Sequence, residues 1–154
     1  MNYLENIKEL IEKDIVLTKK HRLIENNSTL LTYFEIGRLI VEAQGGKERA
    51  KYGNDLINNW SKILTNEYGK GYDASNLRRM RQLFLTFEKC GPLGHISWSH
   101  YRYILPIKEE SKRNYYINLC IKQKLTKRQL MDKIKNNEYE RLEYKEDIKI
   151  ISNE

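Results

Sequence analysis

The chain has two cysteines, two prolines and eight glycines among 154 residues, and each scarcity removes a class of protein. Cys90 and Cys120 lie far apart, with no Cys-x-x-Cys or Cys/His spacing, so they read as free thiols of a reducing compartment and offer no metal site. No run of about 18 apolar residues occurs, which excludes a spanning helix and any membrane partner of that kind. The start, Met1-Asn2-Tyr3-Leu4-Glu5-Asn6, lacks the basic-then-apolar signature of a signal peptide. No repeat or low-complexity tract is present. These absences predict a cytoplasmic protein without metal or cofactor.

What remains is a charged, helix-forming chain. Apolar residues at 40% support a folded core and charged residues at 32% leave a polar surface, enough for one domain or two very small ones sharing an interface. Few prolines and glycines, with Leu, Ile, Lys and Glu abundant, predict an all-α helical bundle. The net charge of +7 is unevenly spread. From Lys47 to Lys135 there are 19 Lys/Arg against 8 Asp/Glu, a local charge of +11, whereas the flanking segments carry −1 and −3. A middle segment of that sign attracts polyanions and speeds encounter with them, without by itself making the binding specific.

The helical pattern divides the chain into a domain over 1–137 and an acidic tail or linker over 138–154. A first helix is expected from about Leu4 to Ile24 and a second from about Thr29 to Ala43, with Asn26-Asn27-Ser28 as a break and Gln44-Gly45-Gly46-Lys47 as the end of the unit. Leu10, Leu17, Ile24 and Leu31 recur every seven residues, the interval of a coiled-coil seam. The complementary positions, Ile7, Asp14, His21 and Ser28, are mostly polar, which favours ordinary packing in a bundle over a zipper. A third helix, Asn54 to Glu67, has Leu56, Ile57, Trp60, Ile63 and Leu64 on one stripe, able to cradle the helix after it.

That next helix follows Gly69-Lys70-Gly71-Tyr72-Asp73, a glycine turn in which positive backbone dihedrals are plausible and Asp73 or Ser75 can cap the helix. Wound at about 100° per residue, Leu77, Met80, Leu83, Phe84 and Phe87 share one side, and Ser75, Arg78, Arg79, Gln82, Thr86 and Lys89 the other. Helix, glycine turn and basic helix form a helix-turn-helix layout over 54–89. Arginine and glutamine suit base edges, serine and threonine suit phosphate, and an exposed helix N-terminus favours an anion. The candidate nucleic-acid contacts here are Lys70, Tyr72, Ser75, Asn76, Arg78, Arg79, Arg81, Gln82 and Lys89.

A loop, Cys90-Gly91-Pro92-Leu93-Gly94-His95, leads to a short helix capped by Ser97 or Ser99, running through Leu105 and stopped by Pro106. Two more helices follow, Glu110 to Lys122 and one opening at Thr126-Lys127-Arg128-Gln129, whose spacing is that of a capping box. This second helical unit over 97–137 repeats the helix-turn-helix order and adds Arg102, Lys127 and Arg128 as candidate phosphate contacts. Ser97-Trp98-Ser99-His100-Tyr101-Arg102 gathers groups used in acid-base work, but neighbouring helix positions do not face one another and no partner carboxylate is identifiable. The structural reading places Trp98 and Tyr101 in the core and His100 on the backbone. His21 and His95 read as surface residues. Of the eleven tyrosines, Tyr115 and Tyr116 fit a core with hydroxyls at the surface, and Tyr68 and Tyr72 are the better stacking candidates. Gly37, inside a helical pattern, implies close approach of a neighbouring helix.

Several of these stretches, in order, resemble the N-terminal domain of the DUF1016 or YhcG family: Tyr33-Phe34-Glu35-Ile36-Gly37-Arg38-Leu39-Ile40, Tyr52-Gly53-Asn54-Asp55-Leu56-Ile57, the run from Tyr68 to Leu83, Ile96-Ser97-Trp98-Ser99-His100-Tyr101-Arg102, and Tyr139-Glu140-Arg141-Leu142. The resemblance covers most of the chain and departs at Leu125, where the family carries tryptophan before the last helix cap. It implies a helical domain associated with DNA, placed ahead of a PD-(D/E)XK-type nuclease domain that would continue past Leu142. This sequence stops at Glu154, so the catalytic half is expected to be absent. Asp132 with Glu143-Tyr144-Lys145 does not make a remnant, because Asp132 falls on a helix and the tail lacks the strands that would converge such carboxylates on Mg²⁺.

The sequence therefore predicts a non-catalytic DNA-binding module. The alternative, of another class, is a protein-interaction or oligomerisation domain that forms a homodimer through its N-terminal helices or pairs with a nuclease partner.

Overall fold

A computed structural model describes residues 2–20, 27–45, 54–89 and 96–142. All regular structure among the described residues is helical, as the composition predicts. The order is α1 (Tyr3–Lys20), α2 (Asn27–Ala43), α3 (Asn54–Tyr68), a 3-10 turn (Lys70–Tyr72), α4 (Ala74–Phe87), α5 (Trp98–Ile104), α6 (Glu110–Gln123) and α7 (Lys127–Lys135). His21, Ile24 and the side chain of Ser28, the Cys90 to His95 loop and the Glu143-Tyr144-Lys145 triplet lie outside the described residues.

The chain divides into two compact units, Met1–Ser97 and Trp98–Glu154. In the first, α2 packs against both α1 and α4, its contact with α4 being the most extensive, and α3 closes on α4. Ile7 and Ile11 of α1, Ile36, Leu39 and Ile40 of α2, and Leu77, Met80 and Leu83 of α4 are buried together in this unit. The inward side of α1 is thus the Ile7, Ile11 and Asp14 stripe, while Leu17 and Leu31 of the seven-residue series are 45% and 55% exposed. The polar seam position Asp14 is itself buried and is met by a donor: the Thr29 hydroxyl donates to its carboxylate at 3.0 and 3.2 Å. Such pairing offsets the cost of removing a carboxylate from water.

Gly37 confirms the helix approach that its position implies. A Cβ built on it would collide with the Met80 carbonyl, coming 2.7 Å from its carbon and 3.0 Å from Phe84 Cβ. The α2–α4 contact therefore sets how deep α4 sits. Two polar links add α3 to α1: Lys8 Nζ pairs with Glu67 at 2.8 Å, and the Tyr68 hydroxyl donates to Glu12 at 3.0 Å.

In the second unit α5 packs on α6 and α7. Tyr101, Ile104, Tyr116 and Leu130 are fully buried there, whereas Trp98 is only partly so. Thr126 makes the capping box: its hydroxyl accepts from Gln129 N at 3.1 Å and the Gln129 side chain accepts from Thr126 N at 2.9 Å. His100 takes the backbone role expected of it, its Nε2 lying 2.7 Å from the carbonyl of Leu125. Leu125 itself is buried, so a leucine fills the turn where the resemblance leads one to look for tryptophan. The tail departs from a plain linker at its start. Residues 138–142 are helical and dock on α6, with Tyr139 N donating to the Tyr116 hydroxyl at 3.2 Å and Lys112 pairing with Glu140 at 2.5 Å. Tyr116 thus has its hydroxyl inside the unit, not at the surface, because the tail covers it.

Candidate nucleic-acid interface

The glycine turn is built from backbone geometry that only part of its sequence signals. Gly69 has φ 97°, a left-handed value that favours glycine, whereas Gly71 sits within the 3-10 turn without a positive φ. Asp73, not Ser75, is the cap of α4, its carboxylate accepting from Asn76 N at 2.8 Å. That carboxylate already serves the first turn of the helix, so the N-terminus of α4 is not open to an incoming anion.

Beyond the cap, α4 presents the face that its periodicity predicts. Leu77, Met80, Leu83 and Phe87 are buried, and Ser75, Arg78 and Gln82 are exposed, with Arg79 and Thr86 half-buried beside them. Lys70 and Lys89, both exposed, stand before and after the helix. No Asp or Glu lies within α4.

The two arginines of this face are held by neutral groups. Arg78 Nη2 donates to the Asn58 side-chain oxygen on α3 at 3.2 Å, and Arg79 Nη1 donates to the Asn76 side-chain oxygen at 3.2 Å. Among the described residues neither guanidinium meets a carboxylate. Arg38 on α2 makes the contrast, since Glu35 (2.9 Å) and Glu42 (2.7 Å) both pair with it and hold its pKa above the ordinary value. A guanidinium oriented by carboxamides keeps its full charge for a partner.

Three of the candidate contacts turn out to be structural. Tyr72 is buried, edge-on to Tyr33 (centroids 6.1 Å apart) and Tyr68 (6.0 Å), with its hydroxyl bonded to that of Tyr33 and burial pushing its phenol pKa up. It cannot stack on a base. Arg81 points to the end of α2, donating from Nε to the buried Gln44 side chain at 2.7 Å, and burial lowers its pKa. Asn76 ties the 3-10 turn to α4 and positions Arg79, because its side chain donates to the Lys70 carbonyl at 3.4 Å while accepting from Arg79. Asn58 is the residue that sequence reasoning missed: nothing in the α3 pattern marks it, since only the α3–α4 packing brings it to Arg78.

Arg102 on α5 and Lys127 and Arg128 on α7 are exposed in the second unit. Cys120 is a buried free thiol whose pKa is pushed up to about 11 by burial, which makes it a packing group at neutral pH. Asp132 is on α7, as expected. No helix among the described residues is long and apolar enough to cross a membrane.

Comparison with known proteins adds three findings. The family model described as the DUF1016 N-terminal domain matches residues 6–141. The Escherichia coli (strain K12) protein named "Putative nuclease YhcG" is 53% identical over 58 residues, a stretch that spans 37% of this chain and 16% of that protein. No solved structure matches the chain significantly.

Proposed function

The chain belongs to the DUF1016 N-terminal domain family, and from that premise we propose that it is a non-catalytic DNA-binding module whose interface is the solvent face of α4. The observation that carries the proposal is the state of Arg78 and Arg79. Both sit on one helix face, both are oriented by neighbouring carboxamides, and among the described residues neither is paired with a carboxylate. Gln82 lies one turn beyond Arg78 on the same face, where its side chain can read a base edge. Lys70 and Lys89 supply phosphate contacts at either end. The second unit, by itself, exposes Arg102, Lys127 and Arg128 as phosphate contacts of its own.

The absence of catalysis is part of the proposal. The family match is to an N-terminal domain, and the relative's name assigns nuclease chemistry to a protein of which this alignment covers 16%. The module would then hold DNA for a nuclease partner. Replacing Arg78, Arg79 and Gln82 together by Ala is expected to weaken DNA binding at least tenfold, about 1.4 kcal/mol or more, with the far-ultraviolet circular dichroism unchanged. Unchanged affinity in a folded triple variant would end the assignment.

A second reading, association through the N-terminal helices, has its own observation. Ile15 (40% exposed), Val16 (53%), Leu17 and Leu31 are exposed where α1 ends and α2 begins, a juxtaposition that the Asp14–Thr29 bond fixes. Light scattering decides it: a homodimer that dissociates on Leu17→Glu supports this reading, and a monomer at all concentrations removes it.

A further inference from the structure

Resting on the α4 reading, we infer that the ligand of this face is duplex DNA entered through its major groove, as opposed to single-stranded nucleic acid. Proteins that grip single strands do so by stacking bases on exposed aromatic rings along a basic groove. Among the described residues the α4 face has no such ring. Its side chains are those of Ser75, Arg78, Arg79, Gln82, Thr86 and Lys89, and the two tyrosines beside the turn are engaged elsewhere. Tyr72 is buried between Tyr33 and Tyr68, and Tyr68 is half-buried with its hydroxyl on Glu12. Phe84 packs against Phe34 at 5.4 Å and Phe87 is buried, so the remaining aromatic rings of α4 belong to its inner side.

What the face offers instead is a stiff ridge. The 14 residues of α4 extend about 21 Å, and a helix of ordinary diameter enters the major groove of B-form DNA, which is about 12 Å wide. Arginine and glutamine one turn apart suit the guanine and adenine edges displayed in that groove. The groove of an RNA duplex is too deep and narrow for the same entry. Anchoring by Gly37, packed against the Met80 carbonyl, keeps the ridge at a fixed height above the unit. Because Asp73 occupies the N-terminus of α4, phosphate contact falls to the cations that bracket the ridge, leaving the middle of the helix to the bases.

The test uses the full chain and a fluorescent 30-base-pair DNA of random sequence, with its single-stranded form and the corresponding RNA duplex as competitors in anisotropy titrations at one salt concentration. Duplex DNA is expected to bind at least tenfold tighter than either competitor. Methyl green, which fills the major groove, should displace the protein, and distamycin, which fills the minor groove, should not. Single strands binding as tightly as duplex, or displacement by distamycin alone, would overturn the inference; if that binding were still lost in the Arg78→Ala/Arg79→Ala/Gln82→Ala variant, α4 would stand as the interface. Duplex binding that the folded triple variant retains, or no binding to any of the three, would overturn both the inference and the α4 reading beneath it.

Discussion

An arginine keeps its charge in any protein environment, so what decides whether Arg78 and Arg79 can act on a polyanion is the group each one meets. Carboxamides from Asn58 and Asn76 orient them without cancelling the charge. This makes Asn58 a sensitive position although it need touch no ligand. Asn58→Asp would put a carboxylate against Arg78 with almost no change in shape. We expect the variant to bind DNA roughly fivefold more weakly, the equivalent of about 1 kcal/mol for an exposed ion pair, at an unchanged melting temperature. Titration of parent and variant at the same salt checks this, and equal affinities would show that Arg78 is not at the interface. At the same scale, hydrogen-bond partners separate residues that composition cannot: Arg81 and Arg79 are alike in sequence and both half-buried, yet one ties α4 to Gln44 beyond α2 and the other is held by Asn76 of its own helix.

Among the elements, α4 owes its position to α2. Gly37 is the residue that lets the two backbones approach, and its cost to helix propensity, about 1 kcal/mol against Ala, is accepted for that contact. Gly37→Ala would recover the propensity and lose more, since the new methyl meets the Met80 carbonyl, which belongs to a backbone and cannot swing aside. Overpacked cores lose about 1–3 kcal/mol, and a net destabilisation of roughly that size is expected in urea denaturation. A variant as stable as the parent would mean that α2 and α4 separate without penalty. The docking of residues 138–142 on Tyr116 shows the same dependence of an element on groups outside it.

For the whole molecule the question is whether the basic middle of the chain acts on one ligand. Affinity for duplex DNA falls with salt at a log-log slope of about 0.9 per neutralised phosphate. If Lys70, Arg78, Arg79 and Lys89 of the first unit and Arg102, Lys127 and Arg128 of the second all contribute, the slope is expected to be about 6. The Lys127→Ala/Arg128→Ala variant should lower it by about 2, with little change in preference for one DNA form over another. An unaltered slope would confine the interface to the first unit.

The order of helices, the cap at Thr126, the amphipathic split of α4 and the meaning of Gly37 were all legible in the sequence, because each rests on periodicity or on chemistry within a few residues. The end of the helical fold was not, since the helical start of the tail depends on Tyr116, Glu109 and Lys112 across α6. The seven-residue leucine series misleads in the same way: it describes α1 correctly as a helix, but which side turns inward was settled by α2, which buries Ile7, Ile11 and Asp14. That a basic helix face exists follows from the order of residues alone. Which of its cations are left for a partner depends on packing, because the groups that hold Arg78, bury Tyr72 and tether Arg81 come from α3, α2 and the end of α2, brought to α4 by tertiary contact and not by spacing along the chain.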